Sequence, residues 1–161
     1  MDYYTTYEES VKLIEAGIKP ETSDLSYQNI CYKGVSYSNN FEPTITPYTK
    51  ALESLNKLKE EYKKAIVEEK GVDAFCAWEV KPCWSLGALM NLFPCGTDKP
   101  VVSLTRGGWN GKTDKHTNDW FALYENEGDD KPYFWIQKRD KKAVKAIVKL
   151  ILELKKRGFK L

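Results

Sequence analysis

The sequence is poor in the residues that metal sites and disulfide scaffolds require. Its 161 residues include one histidine and four cysteines, and no two cysteines form a C-x2-C pair. Structural zinc sites are usually built on such pairs, and disulfide-held domains have a higher density of cysteine. We therefore expect no metal site and reduced cysteines, and no motif in the chain calls for a cofactor.

Long apolar runs and an excess of one charge are also missing. No stretch approaches the ~18 apolar residues of a membrane span, and residues 1–6 are polar rather than a basic start to a secretory signal. The 25 Lys and Arg nearly balance the 23 Asp and Glu, so the net charge is only +2. These features predict a cytoplasmic protein with no membrane partner and no chain-wide field for nucleic acid.

The chain has enough apolar and aromatic residues to form a core. Its composition is 42% hydrophobic and 13% aromatic, which is too apolar for a disordered chain. The length lies within the ~100–200 residues typical of one domain. We expect a single domain over residues 1–161.

Apolar periodicity and capping residues predict four helices. The first covers residues 7–16, with Thr6 and Glu9 as a capping box and Gly17 after its end. The second is long, opens on Thr46-Pro47 and ends near residue 71. A short helix follows the N-cap candidate Ser85, and another long helix runs from an N-cap at residue 140 to residue 158.

Strands are predicted between these helices. Residues 27–37 form a weak strand or ordered loop, and residues 72–80 form a strand that Pro82 should end. Three apolar strands follow at 101–105, 120–124 and 133–137. Short loops join these last strands, so the fold class is α+β, with an antiparallel sheet of about three to five strands backed by two long and two short helices. We expect one core to include Leu55, Leu58, Trp120, Trp135, Ile147 and Ile151.

Two strings of sequence resemble a known family. Residues 10–25 contain SVKLIEAGI and TSDL, and residues 82–94 read PCWSLGALMNLFP. Together they resemble a family of short uncharacterised proteins of Bacteroides-type gut bacteria and their phages, which carry a P-x-W-S-L-G-A-L motif, although Cys83 stands where the family more often has Ala. The resemblance implies a phage or mobile-element context and no known activity. Trp84 followed by the Ser85 cap is interpreted as fastening a short helix to the core.

A glycine-rich segment after an apolar strand is the first candidate site. Residues 106–113 read RGGWNGKT, but three residues separate Gly107 from Gly111, which departs from the G-x-x-x-x-G-K-[ST] spacing of a P-loop. Asn110-Gly111 is instead typical of a type I′ hairpin. We expect the hairpin to carry a binding surface for a protein or a small anionic ligand, formed by Arg106, Trp109, Lys112 and His116. The competing interpretation folds Trp109 onto the sheet as a core residue.

Two alternative functions are kept open. Residues 138–161 hold ten Lys and Arg against two acids, a balance of +8 that leaves −6 for the rest of the chain. A nucleic-acid contact could therefore use one stripe of the last helix, with phosphate contacts from Lys142, Lys145, Lys149 and Lys156. A hydrolase-like enzyme would have to use His116, the only histidine. No catalytic residue is assigned, and a binding protein is the main hypothesis.

Overall fold

The computed structural model describes residues 3–32, 35–38, 43–68, 78–94, 101–110, 115–128 and 131–161. Within these ranges the predicted α+β class is confirmed, with two long and two short α-helices and antiparallel strands. The six strands found there divide between two three-stranded sheets, whereas the sequence predicted one sheet.

The helices and strands follow one another in mixed order along the chain. The helices are α1 (Tyr7–Glu15), α2 (Tyr48–Glu68), α3 (Leu86–Met90) and α4 (Ala143–Lys156), with a 3₁₀ turn at Pro20–Thr22. The strands are β1 (Leu25–Tyr32), β2 (Val35–Ser38), β3 (Trp78–Cys83), β4 (Val101–Asn110), β5 (Lys115–Gly128) and β6 (Lys131–Asp140). The first sheet has the order β2-β1-β3 and the second has the order β4-β5-β6.

The ends of α1 are formed as the sequence predicts. The Thr6 hydroxyl accepts the Glu9 backbone N–H at 3.2 Å, and the Glu9 carboxylate accepts the Thr6 N–H at 2.8 Å, which completes the capping box. After the helix Gly17 has φ +81°, and the N–H of Ile18 donates to the Leu13 carbonyl at 3.0 Å. This Schellman motif packs Ile18 and Leu13 into the core.

The prediction that Pro82 ends a strand is wrong, because β3 continues to Cys83. Pro82 lies opposite Ser26 of β1, and β3 is at the edge of the described sheet. The Ser26 N–H and carbonyl are bonded to the Thr44 backbone at 3.2 and 2.8 Å, so Ser26 has no backbone bond to offer Pro82. A proline fits such a position because no ladder hydrogen bond is lost.

Trp84 and Ser85 fasten α3 as the sequence predicts. Trp84 is completely buried, and its indole N–H donates to the Thr22 hydroxyl at 2.9 Å. Ser85 is the N-cap of α3, and its hydroxyl accepts the Ala88 N–H at 3.2 Å. The Asp24 carboxylate in turn accepts both the Ser85 N–H and the Ser85 hydroxyl.

The main core lies between α4 and the second sheet. Ile147 and Ile151 are fully buried in it, as expected, and Trp120 packs against it while remaining partly exposed. The expectation for Trp135 is wrong. Its side chain is 56% exposed because alternation along β6 places it on the opposite face from buried Ile136.

The expected core residues of α2 belong elsewhere. Leu55 is buried, but it lies outside the main core, because α2 packs against β1 and β3 of the first sheet. The Leu58 side chain lies outside the described part of the chain.

The start of the last helix differs from the prediction. Asp140 was expected to be its N-cap, but α4 has Lys142 in that position and no side-chain cap. Asp140 instead ends β6, where it pairs with Trp120 of β5. The sequence predicted this strand only to residue 137, because the last three residues of β6 are polar and do not continue the apolar pattern. None of the helices among the described residues is both long and apolar enough to cross a bilayer.

Candidate functional site

A pocket of about 380 Å³ opens where the second sheet meets the start of α4. Its volume lies near the low end of the ~300–1,000 Å³ typical of small-molecule sites. The described residues that line it include three cations and no acid, together with two aromatic and two aliphatic side chains: Tyr3, Leu86, Arg106, Trp120, Lys141, Lys142 and Ala143. We call it the Arg106 pocket.

The two aromatic lining residues, Trp120 and Tyr3, form what we call the aromatic wall of the pocket. The sheet places Arg106 beside it. Arg106 pairs with Trp120 across β4 and β5, and Trp120 pairs with Asp140 of β6 on its other side. The register then shifts between Arg106 and Gly108, and Gly107 has φ +81°. Such a bulge bends the strand and redirects neighbouring side chains. Arg106 therefore lies at the last regular pair before an irregularity.

The aromatic side of the pocket has two parts. Trp120 packs against the core and also lines the pocket. Tyr3 and Leu86 line it from a different part of the chain, and the Leu86 N–H donates to the Tyr3 carbonyl at 2.8 Å. A second bond from the Thr5 N–H to the Trp84 carbonyl, at 2.9 Å, holds this N-terminal segment against the start of α3.

Lys141 and Lys142 lie in the junction between β6 and α4, and both are exposed. The nearest acid in sequence is Asp140, whose carboxylate accepts the Lys142 backbone N–H at 3.1 Å and the Lys149 ammonium at 2.8 Å. Burial by itself raises the pKa of Asp140, but these hydrogen bonds and the charges of Lys149 and Lys145 outweigh it and lower that pKa. The negative charge of Asp140 is therefore matched by Lys149.

Two of the three cations that line the pocket, Arg106 and Lys141, lack a partner of opposite charge in the part of the chain that the structure describes. Arg139, by contrast, is paired with Asp119, and Lys138 with Glu153. The pocket thus has positive charge that the described protein groups do not neutralise.

The structure brings two of the sequence candidates together in the pocket. Arg106 and Lys142 both line the pocket. Trp109 and His116 face each other in the β4–β5 register, but their side chains lie outside the described residues, as does all of Lys112. The roles expected for these three side chains stay predictions.

The hairpin that carries these residues differs in its turn. The prediction of a two-residue type I′ turn at Asn110-Gly111 is wrong. Asn110 pairs with Lys115 in the ladder, so it is not a central residue of the turn.

The lysine stripe of α4, with its expected phosphate contacts, stays a prediction. Lys149 is paired with Asp140, and Lys145 is half-buried. Lys156 is separated from Lys142 by the length of the helix, ~21 Å at 1.5 Å per residue. Of these four lysines, only Lys142 lines the pocket.

Sequence reasoning missed five residues of the pocket: Tyr3, Leu86, Trp120, Lys141 and Ala143. Trp120 was interpreted only as a core residue, and Lys141 precedes the helical stripe on which the lysines were grouped. The available signal was the adjacent pair Lys141-Lys142 between a strand and a long helix, because helix N-termini favour anions. No sequence signal joins Tyr3 to these residues.

The Cys83 thiol is not placed to act as a nucleophile in the described part of the chain. Cys83 is fully buried, and burial raises the pKa of its thiol to about 11. Its Sγ donates to the Thr5 carbonyl at 3.4 Å, which is a structural role. Among the described residues no group of three His, Cys, Asp or Glu side chains comes together as a metal site would require.

Comparison of the chain with protein-family models, with curated proteins and with solved structures finds no match. What the pocket binds has to follow from its own residues.

Proposed function

We propose that this protein binds a small anionic ligand in the Arg106 pocket. The observation that carries the proposal is the cavity itself, in which Arg106, Lys141 and Lys142 meet an aromatic wall and no acid is present among the described lining residues. The protein acts by binding rather than by catalysis.

The three cations suit an anion in complementary ways. The Arg106 guanidinium has a planar set of donors that can bind a carboxylate or phosphate through two parallel hydrogen bonds. Lys141 and Lys142, in the junction between β6 and α4, add two point charges to the same pocket. Trp120 and Leu86 add apolar surface beside these cations.

The proposal also includes a setting for this binding activity. A cytoplasmic location is supported by the sparse cysteines. A phage or mobile-element context is supported only by the resemblance of residues 10–25 and 82–94. Neither affects the chemistry proposed for the pocket.

The test is a calorimetric titration of the full chain with inorganic phosphate and with phenyl phosphate. Arg106→Gln removes the charge and is expected to weaken binding about tenfold or more, since a charge-assisted hydrogen bond contributes ~1.5–3 kcal/mol. The matched control is Arg157→Gln, an exposed arginine beyond the other end of α4 that pairs with Glu153. The control should bind as the wild type does. Equal affinities for wild type and Arg106→Gln, or no binding of either anion, would contradict the proposal.

A further inference from the structure

The Arg106 pocket has aromatic lining residues that the binding of an inorganic anion does not require. Inorganic anions are held by cations and hydrogen-bond donors alone, yet Trp120 and Tyr3 present ring surface to the same cavity. Tyr3 is 59% exposed. Flat aromatic surfaces beside water stack well on planar rings, and this stacking tolerates many ring types.

The charge of the pocket indicates the anionic group. Three cations line it, and no acid stands among the described lining residues. Arg106 and Lys141 have no ion-pair partner among the described residues, and a carboxylate would neutralise only one of these two charges. A phosphate monoester carries about −1.5 to −2 at neutral pH because its second pKa is about 6, so it can neutralise both. The guanidinium of Arg106 also matches the oxygen geometry of a phosphate.

The size of the pocket limits the rest of the ligand. At about 380 Å³ it lies near the lower limit of ligand sites, which leaves room for one ring system and one charged group. Since Trp120 pairs directly with Arg106, a ring on the indole and a phosphate on the guanidinium can belong to one small molecule.

Resting on the proposed function, we infer that the Arg106 pocket binds a phosphate monoester that carries a planar ring, of the size of one nucleoside monophosphate. The ring stacks on Trp120 beside Tyr3, and the phosphate contacts Arg106 with Lys141 and Lys142. The two halves of the ligand are therefore recognised by different residues.

The experiment compares adenosine monophosphate with its two halves, ribose 5-phosphate and adenosine, by calorimetry on the full chain. Adenosine monophosphate should bind at least about tenfold more tightly than either half, because a stacked base adds about that much. Phenyl phosphate should also bind more tightly than inorganic phosphate, and benzoate should bind more weakly than phenyl phosphate.

Two variants separate the recognition of the ring from that of the phosphate. Trp120→Leu should lower the affinity for adenosine monophosphate to that for ribose 5-phosphate, whose own affinity stays unchanged and reports that the pocket is intact. The matched control is Trp135→Leu, which changes an exposed indole on the other face of the sheet and should have no effect. Because Trp120 also touches the core, Tyr3→Ala gives a second test, and a smaller loss, again selective for adenosine monophosphate, is expected because Trp120 remains.

The possible results separate the two proposals. If ribose 5-phosphate binds as tightly as adenosine monophosphate and both depend on Arg106, the ring is not recognised and this inference is overturned, while anion binding stands. If benzoate equals phenyl phosphate, the assignment of a phosphate is overturned. If no ligand binds in an Arg106-dependent way, the proposed function fails as well.

Discussion

Arg106 and Trp120 lie opposite each other on β4 and β5, one residue before Gly107 interrupts the register of the sheet. Their pairing joins a cation that has no ion-pair partner among the described residues to an indole that is anchored on the core. Because Asp140 extends the same row into β6, the next two residues, Lys141 and Lys142, enter the pocket before α4 begins. The pairing of β4, β5 and β6 thus brings Arg106 and Trp120 close to Lys141 and Lys142.

Gly107→Ala should destabilise the protein by ~1–2 kcal/mol, because φ +81° is unfavourable for a residue with a Cβ. The added Cβ would be 3.5 Å from the Thr117 carbonyl oxygen, an ordinary contact, so the cost comes from the backbone conformation. Urea denaturation measures the change. The control Gly87→Ala, within α3, should be neutral or stabilising. A neutral Gly107→Ala would show that the bulge does not require glycine.

Ile147→Ala should lower the free energy of unfolding by ~2–5 kcal/mol, because Ile147 is fully buried in the core between α4 and the second sheet. Ile45→Ala removes the same atoms from a side chain that is 92% exposed, and should change stability by less than ~0.5 kcal/mol. Similar denaturation midpoints for the two variants would mean that α4 is not packed as described.

Asp140→Asn should destabilise the protein at neutral pH by ~1 kcal/mol, a modest value because its partner Lys149 is half exposed. The pKa of Asp140 is lowered in the folded state, so its contribution is present above the unfolded pKa of ~3.9 and is lost as pH falls through the folded value. The stabilities of wild type and variant should therefore converge in acid. A difference in stability between wild type and Asp140→Asn that stays constant from pH 7 down to pH 2 would contradict the ion pair. Glu53→Gln on α2 serves as the control.

The Cys83 thiol should not react in the folded protein, because it is fully buried and its pKa is raised to about 11. Ellman's reagent should count equal numbers of thiols in native wild type and in Cys83→Ala, and one more thiol in wild type after unfolding. A faster native reaction of the wild type would show that Cys83 is accessible.

Local features of the fold could be predicted from the sequence because their determinants are close in the chain. The capping box at Thr6 and Glu9, the glycine after α1 and the Ser85 cap each depend on residues within about one helical turn. Trp135 was wrongly expected in the core. Where apolar residues follow one another in a strand, the sequence does not show which of them face the core.

The pocket could be predicted only in part, because its residues come from five separate places in the sequence. Arg106 was a candidate as part of the glycine-rich hairpin, and Lys142 was a candidate as part of the lysine stripe, so the two belonged to different hypothetical sites. Their meeting depends on the β4–β5 register and on the strand pairing that carries β6 to Asp140. The position of Tyr3 depends on backbone bonds to residues 84 and 86, which no local pattern encodes.

The most direct test of anion binding in the Arg106 pocket is an NMR titration of the isotope-labelled protein with adenosine monophosphate. The indole N–H signal of Trp120, assigned with Trp120→Phe, and the amide signals of residues 141–143 should shift together with one dissociation constant. The indole signal of Trp135 should stay in place, and Arg106→Gln should abolish the shifts or move them to about tenfold higher ligand concentration. Shifts at Trp135 without shifts at Trp120, or a response in Arg106→Gln identical to that of the wild type, would contradict the account.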